Sequence, residues 1–525
     1  MSRLRRITNP DWWQTERSVV AVSLAMVVVG VNTTGIGVAV RGIAEDLDTP
    51  LATLSLITGG FLLAAATFSL VGGRLGDVIG RAQTFLIGTA IFFVGTVIAA
   101  VAPSGIVLIA GRVVQGIGAA LVMPASIEML VAHPPAAGMR FGFRVRSIAY
   151  ASAFGIGPLI GGIVTDYLSW RELFWFEGLL LLAALVLAWP LRRITSLIPK
   201  APTRDFSGAI VSSMLIFVVV GGAFRTAKWG LWSWHTVAAA ALSMVLAAIL
   251  IAVELRAEHP LMHWGLLRER LVMGANVATI GASIGMLGLV YFFSLFAQSA
   301  ASFNSTAVEI AVALVPFTVT IVVFTHLAKV MGTRLGYRGP VLVGFSLSIA
   351  GFAWLSTTTA GSSGSQLFIP LTLCGIGAGI ANASLTSVAV LTETPARIDE
   401  AAGMLSLSRF VGSALAVAIG TSAYLSVAAR MSAAGKFGPT VDPGEVAQGS
   451  TALRQALGML QQDLRAPFEA AARAQTAEAF ASTMRVAALV LFAITLLCAW
   501  FLRPESINDR ARLGPFDRAT RPDRV

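Results

Sequence analysis

Apolar residues recur along this chain in uninterrupted runs of about 20, separated by short breaks that carry charge, proline or glycine. A helix of that length covers the roughly 30 Å hydrocarbon core of a bilayer, whereas the strands of a membrane barrel would alternate in segments of about ten residues. The pattern therefore predicts an all-α polytopic membrane protein. Spans fall near 19–40, 51–72, 84–101, 105–131, 146–168 and 173–191, a bundle of six. After the polar stretch Arg192 to Asp205 come runs near 209–224 and 235–253, then six more near 271–296, 306–327, 340–356, 367–391, 402–426 and 486–502. Fourteen transmembrane helices result, with expected units at 1–192, 193–256 (a cytoplasmic linker and two inserted helices) and 257–525, the last including a periplasmic loop at 428–485 and a tail.

Composition fits this solvent: of 525 residues, 56% are hydrophobic and 12% charged, against roughly one quarter charged in an ordinary soluble domain. The first run, Val19 to Val40, is too long for a signal-peptide core and reads as span 1. A net charge of +11 would suggest nucleic acid in a soluble protein. Here the basic residues sit in short loops and report topology, so no nucleic-acid partner is expected. Arg3, Arg5 and Arg6 precede span 1, Arg192, Arg193, Lys200 and Arg204 follow span 6, and Arg503, Arg510 and Arg512 follow span 14. Both termini are thus expected in the cytoplasm of a bacterial cell, with the chain in its inner membrane. Cys374 and Cys498 lie inside apolar runs, which argues against a disulfide. The long connection 430–485 contains Leu453, Leu457, Leu460, Leu464 and Phe468 at helical spacing. That helix either lies flat on the outer leaflet or packs on the protein's own rim.

Two local matches recur about 260 residues apart: Arg74-Leu75-Gly76 with Arg334-Leu335-Gly336, and Gly116-Ile117-Gly118-Ala119 with Gly375-Ile376-Gly377-Ala378. Their equivalent places in the span order argue for duplicated halves with spans 7 and 8 inserted, and for a substrate site where the halves meet. Between spans 2 and 3, Gly73-Arg74-Leu75-Gly76-Asp77-Val78-Ile79-Gly80-Arg81 reads as a tight turn bearing an acid and a base, able to latch one side shut. Span 4 carries Arg112, Gln115, Gly116 and Gly118. An arginine that deep costs at least about 2.5 kcal/mol unless it faces a polar interior. Span 5 carries Gly157-Pro158-Leu159-Ile160-Gly161-Gly162, where small residues four apart permit close helix contact and the proline kinks the helix.

These motifs, in this order and on these spans, resemble the major facilitator superfamily and specifically its 14-span drug:proton antiporter family. Ser169-Trp170-Arg171, Asp205-Phe206-Ser207-Gly208, His259-Pro260-Leu261 and the stretch from Gly403 through Arg409 to Gly412 extend the resemblance over almost the whole chain. It implies that Gly73, Asp77, Gly80 and Arg81 form a cytoplasmic gate, that Arg112 takes part in proton coupling, and that Gly157, Pro158, Gly161 and Gly162 make the helix contact typical of exporters. The chain departs from that pattern at Asn32, where an aspartate is usual in span 1; asparagine cannot cycle a proton. Glu128, near the end of span 4, is then either a relocated proton site or the ion-pair partner of Arg144 or Arg146. The implied function is proton-coupled export of amphipathic organic molecules by alternating access. An exporter of an endogenous lipid, glycolipid or siderophore, without proton coupling, is the alternative. No Gly-rich phosphate loop, zinc spacing or large soluble domain is present, which argues against a pump or enzyme. The expected partners are therefore a small amphipathic or lipid-like substrate, membrane lipids and protons, acting on a monomer without metal or cofactor.

Overall fold

The computed structural model describes residues 10–49, 51–131, 136–193, 206–230, 233–257, 269–299, 302–335, 338–391, 395–433 and 462–502. Regular structure among them is helical, without strands. In chain order the helices are α1 (Pro10–Val38), α2 (Val40–Asp46), α3 (Leu51–Ile79), α4 (Arg81–Ala100), α5 (Gly105–Val131), α6 (Ala136–Tyr167), α7 (Trp170–Ala188) and α8 (Ser207–Trp229). Then follow α9 (Trp234–Arg256), α10 (Arg270–Gln298), α11 (Ala307–Ala313), α12 (Val315–Leu335), α13 (Arg338–Leu355), α14 (Phe368–Leu391), α15 (Pro395–Ala433) and α16 (Gln462–Phe501). Among the described residues thirteen helices are long and apolar enough to cross a bilayer, and α11 with Val315–Thr325, bent by 42°, makes a fourteenth when the pair is taken as one span. Pro316 explains that bend: it lacks the N–H that would bond the Val312 carbonyl, and its ring clashes with the preceding turn.

The chain folds as two compact units, Met1–Leu261 with Thr306–Ala311, and Met262–Ser305 with Val312–Val525. In the first, α5 lies between α3 and α4, α1 packs against α6 and α7, and α8 packs on α3. Glycine permits this closeness: a Cβ added at Gly116 would strike the Phe61 carbonyl on α3, and one at Gly118 the Phe92 backbone on α4. In the second unit α14 lies between α12 and α13 in the same way, with Gly375 against the Phe317 carbonyl and Gly377 against that of Gly344. There α10, nearly all buried, packs on α15 and α16. The apolar surface of α9 is exposed along its whole length, as suits a helix set in lipid.

Two boundaries differ from the sequence reading. The turn expected over Gly73 to Arg81 shrinks to Gly80 alone, because Gly73 to Ile79 continue α3 as helix. Interior glycine costs a helix only about 1 kcal/mol, while Gly80, at φ +93°, takes the conformation that a side chain resists. Near the other end, Gln462 onward belongs to the 40-residue α16 and forms no separate surface helix. Phe468 is buried and Phe480 stacks on Phe296 of α10 at 4.5 Å, so this segment packs on the protein's own helices. Leu453, Leu457 and Leu460 lie outside the described residues, as does the Leu464 side chain.

Candidate functional site: a buried charge network in the first unit

Arg112, on α5 at the centre of the first unit, has no exposed surface. A guanidinium there must spend its donors on protein acceptors, since the bilayer offers none. Its Nε donates to the Ile57 carbonyl of α3 at 3.1 Å, and its Nη1 donates to Asn32 Oδ1 at 2.6 Å and Gln115 Oε1 at 2.9 Å. The Phe61 ring lies 4.6 Å beneath it, a cation–π contact. Gln115 is held in turn by Nε2 donating to Thr96 Oγ1 of α4 at 2.8 Å. Asn32 of α1 completes the set, its Nδ2 donating to Oε2 of Glu177 on α7 at 2.8 Å.

Five helices thus converge on one acid, one base and an amide between them. The amide orientation is dictated by its neighbours: its oxygen faces the cation and its NH2 the carboxylate, and the flipped amide would oppose like partial charges at both ends. Two atoms in the network have no hydrogen-bond partner, Arg112 Nη2 and Glu177 Oε1. Glu177, Thr96 and the carbonyl of Ile57 are absent from the sequence reading. For Glu177 a signal exists, because a lone carboxylate inside an apolar run is itself unusual. The other two are a common hydroxyl and a backbone atom, which only folding singles out.

The remaining candidates divide. Gly157 and Gly161 face Gly35 of α1: a Cβ at Gly161 would sit 2.5 Å from the Gly35 oxygen and 2.9 Å from its Cα. Pro158 lacks the N–H that would bond the Phe154 carbonyl, and the Thr34 hydroxyl of α1 donates to that carbonyl instead at 3.0 Å. Gly162 faces Ala307, whose N–H and that of Val308 donate to Asp166 at 3.2 and 2.7 Å. At the α3–α4 turn Arg74 and Asp77 lie 3.8 Å apart on one helix, and Arg81 is buried at the first position of α4. Gly73 has open space around its Cβ position, and the close approach occurs at Gly72, against the Ala120 carbonyl. Ser169 caps α7, while Trp170 and Arg171 both bond Asp46, fastening α7 to the end of α2. Arg146 donates to Ser126 Oγ at 2.8 Å, tying α6 to α5. The side chains of Glu128 and Arg144 lie outside the described residues.

Helical structure throughout the described residues, this many candidate spans and a charged, fully buried network inside them define a multi-pass membrane transporter. It belongs to the Major Facilitator Superfamily, which it matches over residues 22–417. It is 28% identical to the tetracenomycin C resistance and export protein of Streptomyces glaucescens over 408 residues, 78% of this chain and 75% of that protein. With the methylenomycin A resistance protein of Streptomyces coelicolor it shares 29% over 406 residues, 76% of this chain and 84% of the other. Among solved structures, a bacterial homologue of the human lysosomal transporter Spinster superposes with a TM-score of 0.60 at 15% identity, covering 95% of this chain and all of the other. That likeness concerns the fold.

Proposed function

We propose that this transporter exports amphipathic organic molecules from the cytoplasm in exchange for protons, by alternating access. The observation that carries the reading is the Arg112–Asn32–Glu177 network: a buried charge of each sign is costly in a membrane bundle whose packing does not require it, and an acid among such groups can take up and release a proton. The two relatives named for antibiotic resistance support the substrate class. In this reading Asp77 and Arg81 act at the cytoplasmic gate, and the packing of α6 on α1 through Gly157, Pro158 and Gly161 holds the first unit rigid while it moves.

Everted membrane vesicles containing the protein are expected to accumulate ethidium when their interior is acid, and to lose it when nigericin collapses the pH gradient. Ethidium accumulation indifferent to the gradient would sink proton exchange and favour the lipid, glycolipid or siderophore exporter instead.

A further inference from the structure

We propose that Glu177 of α7 is the proton-binding group of this transporter, that the proton sits on its unpartnered oxygen Oε1, and that Asn32 is a positioning residue which passes its charge state to Arg112. The inference rests on the reading of the protein as a proton-coupled exporter and names the group that reading requires.

Three observations converge on it. First, Asn32 occupies the place on α1 where a carboxylate would meet Arg112, yet cannot bind and release a proton; the carboxylate stands one hydrogen bond further on, at Glu177. Second, an ionised carboxylate offers about four acceptor sites, and Glu177, 1% exposed, has a single bond, from Asn32 to Oε2. Its Oε1 is buried without a donor, which is where a proton can be added while the Asn32 bond stays in place. Third, Asn32 separates acid from base, so that Glu177 and Arg112 attract without being locked in a direct ion pair. The helices packed on α7 carry Glu16 and Arg17 (α1), Arg81 (α4) and Arg146, Tyr150, Asp166 and Tyr167 (α6), and α7 itself carries Arg171 and Glu172. Of the charged groups described, Arg112 is the one joined to Glu177 through a shared hydrogen-bond partner, Asn32.

The sequence of events balances simply. When the site opens outward, a proton from the outer solution binds Oε1, and the first unit gains one positive charge. Glu177 is then neutral, and Arg112, whose Nη2 already lacks an acceptor, loses the opposite charge beyond Asn32. The guanidinium is driven to seek other acceptors, which shifts α5 against Ile57 of α3 and Thr96 of α4. When the site opens inward, the proton leaves to the cytoplasm and the ionised carboxylate restores the pull on Arg112 through Asn32. Substrate, carried the other way, meets the state in which Glu177 is charged.

The test moves the carboxylate. Glu177→Gln removes the proton site at constant shape. Asn32→Asp combined with Glu177→Gln places the carboxylate on α1, with the new side-chain amide on α7 able to donate to it and Arg112 unchanged. In everted vesicles under an imposed pH gradient, the expected result is loss of ethidium accumulation in Glu177→Gln and its recovery in the double variant. Infrared pH-difference spectra of the purified protein are read in parallel. The carbonyl band of a protonated carboxyl should be present in the parent, absent in Glu177→Gln and shifted in the double variant, a signature that a merely structural glutamate would not give. Gradient-driven accumulation that survives Glu177→Gln, or an unchanged carbonyl band, overturns the assignment while leaving proton exchange standing. Gradient-independent accumulation by the parent overturns proton exchange itself, and this assignment with it. Should Glu177→Gln fail to fold, failure of a folded double variant to accumulate ethidium counts equally against the assignment.

Discussion

At the scale of single residues, membrane-buried polar groups are informative because each must find a partner inside the protein. Thr34 illustrates it: its hydroxyl donates to Phe154 O, the carbonyl that Pro158 leaves without its helical N–H, and so repairs on α1 a defect made on α6. Thr34→Val keeps the shape and removes the donor. It is expected to lower stability by about 1–3 kcal/mol, the cost of a buried acceptor left unmet, and a lowered thermal midpoint in detergent would show it. An unchanged midpoint would mean that the Phe154 carbonyl finds another donor. Arg112 was legible in the sequence because a charge in an apolar run calls for explanation on its own. Gln115, three positions on in the same span, is legible beside it, but the link through Asn32 to Glu177 is not: in the sequence Asn32 is simply the loss of an acid, since the carboxylate that complements it lies 145 positions away on α7. Pairing across that separation is decided by which helices pack together, and hydropathy does not encode it.

At the scale of elements, the spans themselves were legible, because twenty apolar residues in a row satisfy a physical requirement of the bilayer and leave little choice of structure. Their ends were not, as the stretch from Gly73 to Ile79 shows. Glycine and charge suggested a loop there, but a backbone near the membrane surface keeps its hydrogen bonds by staying helical. The meaning of a glycine likewise depends on what faces it. Gly161 abuts the backbone of Gly35, whereas Gly73 faces open space. Gly161→Ala is therefore expected to force α6 from α1 and cost about 1–3 kcal/mol, as overpacking does. Gly73→Ala should be neutral, or stabilising by up to about 1 kcal/mol through helix propensity. Comparing thermal unfolding of the two variants tests the pair, and equal destabilisation would refute the distinction drawn between them.

At the scale of the whole molecule, the question is how a chain whose helices exceed the bilayer is seated in it. A 40-residue helix such as α16 is about 60 Å long, roughly twice the hydrocarbon thickness. Its composition says which half lies inside. Residues from Val486 to Phe501 contain no charge, while Arg465, Glu469, Arg473, Glu478 and Arg485 crowd the first half, four of them joined in the ion pairs Arg473–Glu469 and Arg485–Glu478. Charged side chains are expensive in hydrocarbon, so the first half should stand in water, braced by Phe480 against Phe296. The basic residues flanking the spans predict cytoplasmic termini, and with fourteen spans that half is then expected to project outside the cell. Ala470 is exposed there, and the natural cysteines Cys374 and Cys498 are both buried, so a thiol placed at 470 can be read against a silent background. Ala470→Cys in intact cells, their outer barrier made permeable to the reagent, is expected to react with a membrane-impermeant maleimide, while Leu489→Cys, on the lipid-exposed second half, stays unlabelled. Reaction at 470 only after the inner membrane is breached would reverse the orientation. No reaction in either condition would place the charged half within the bilayer, and the division of α16 at Arg485 would have to be abandoned.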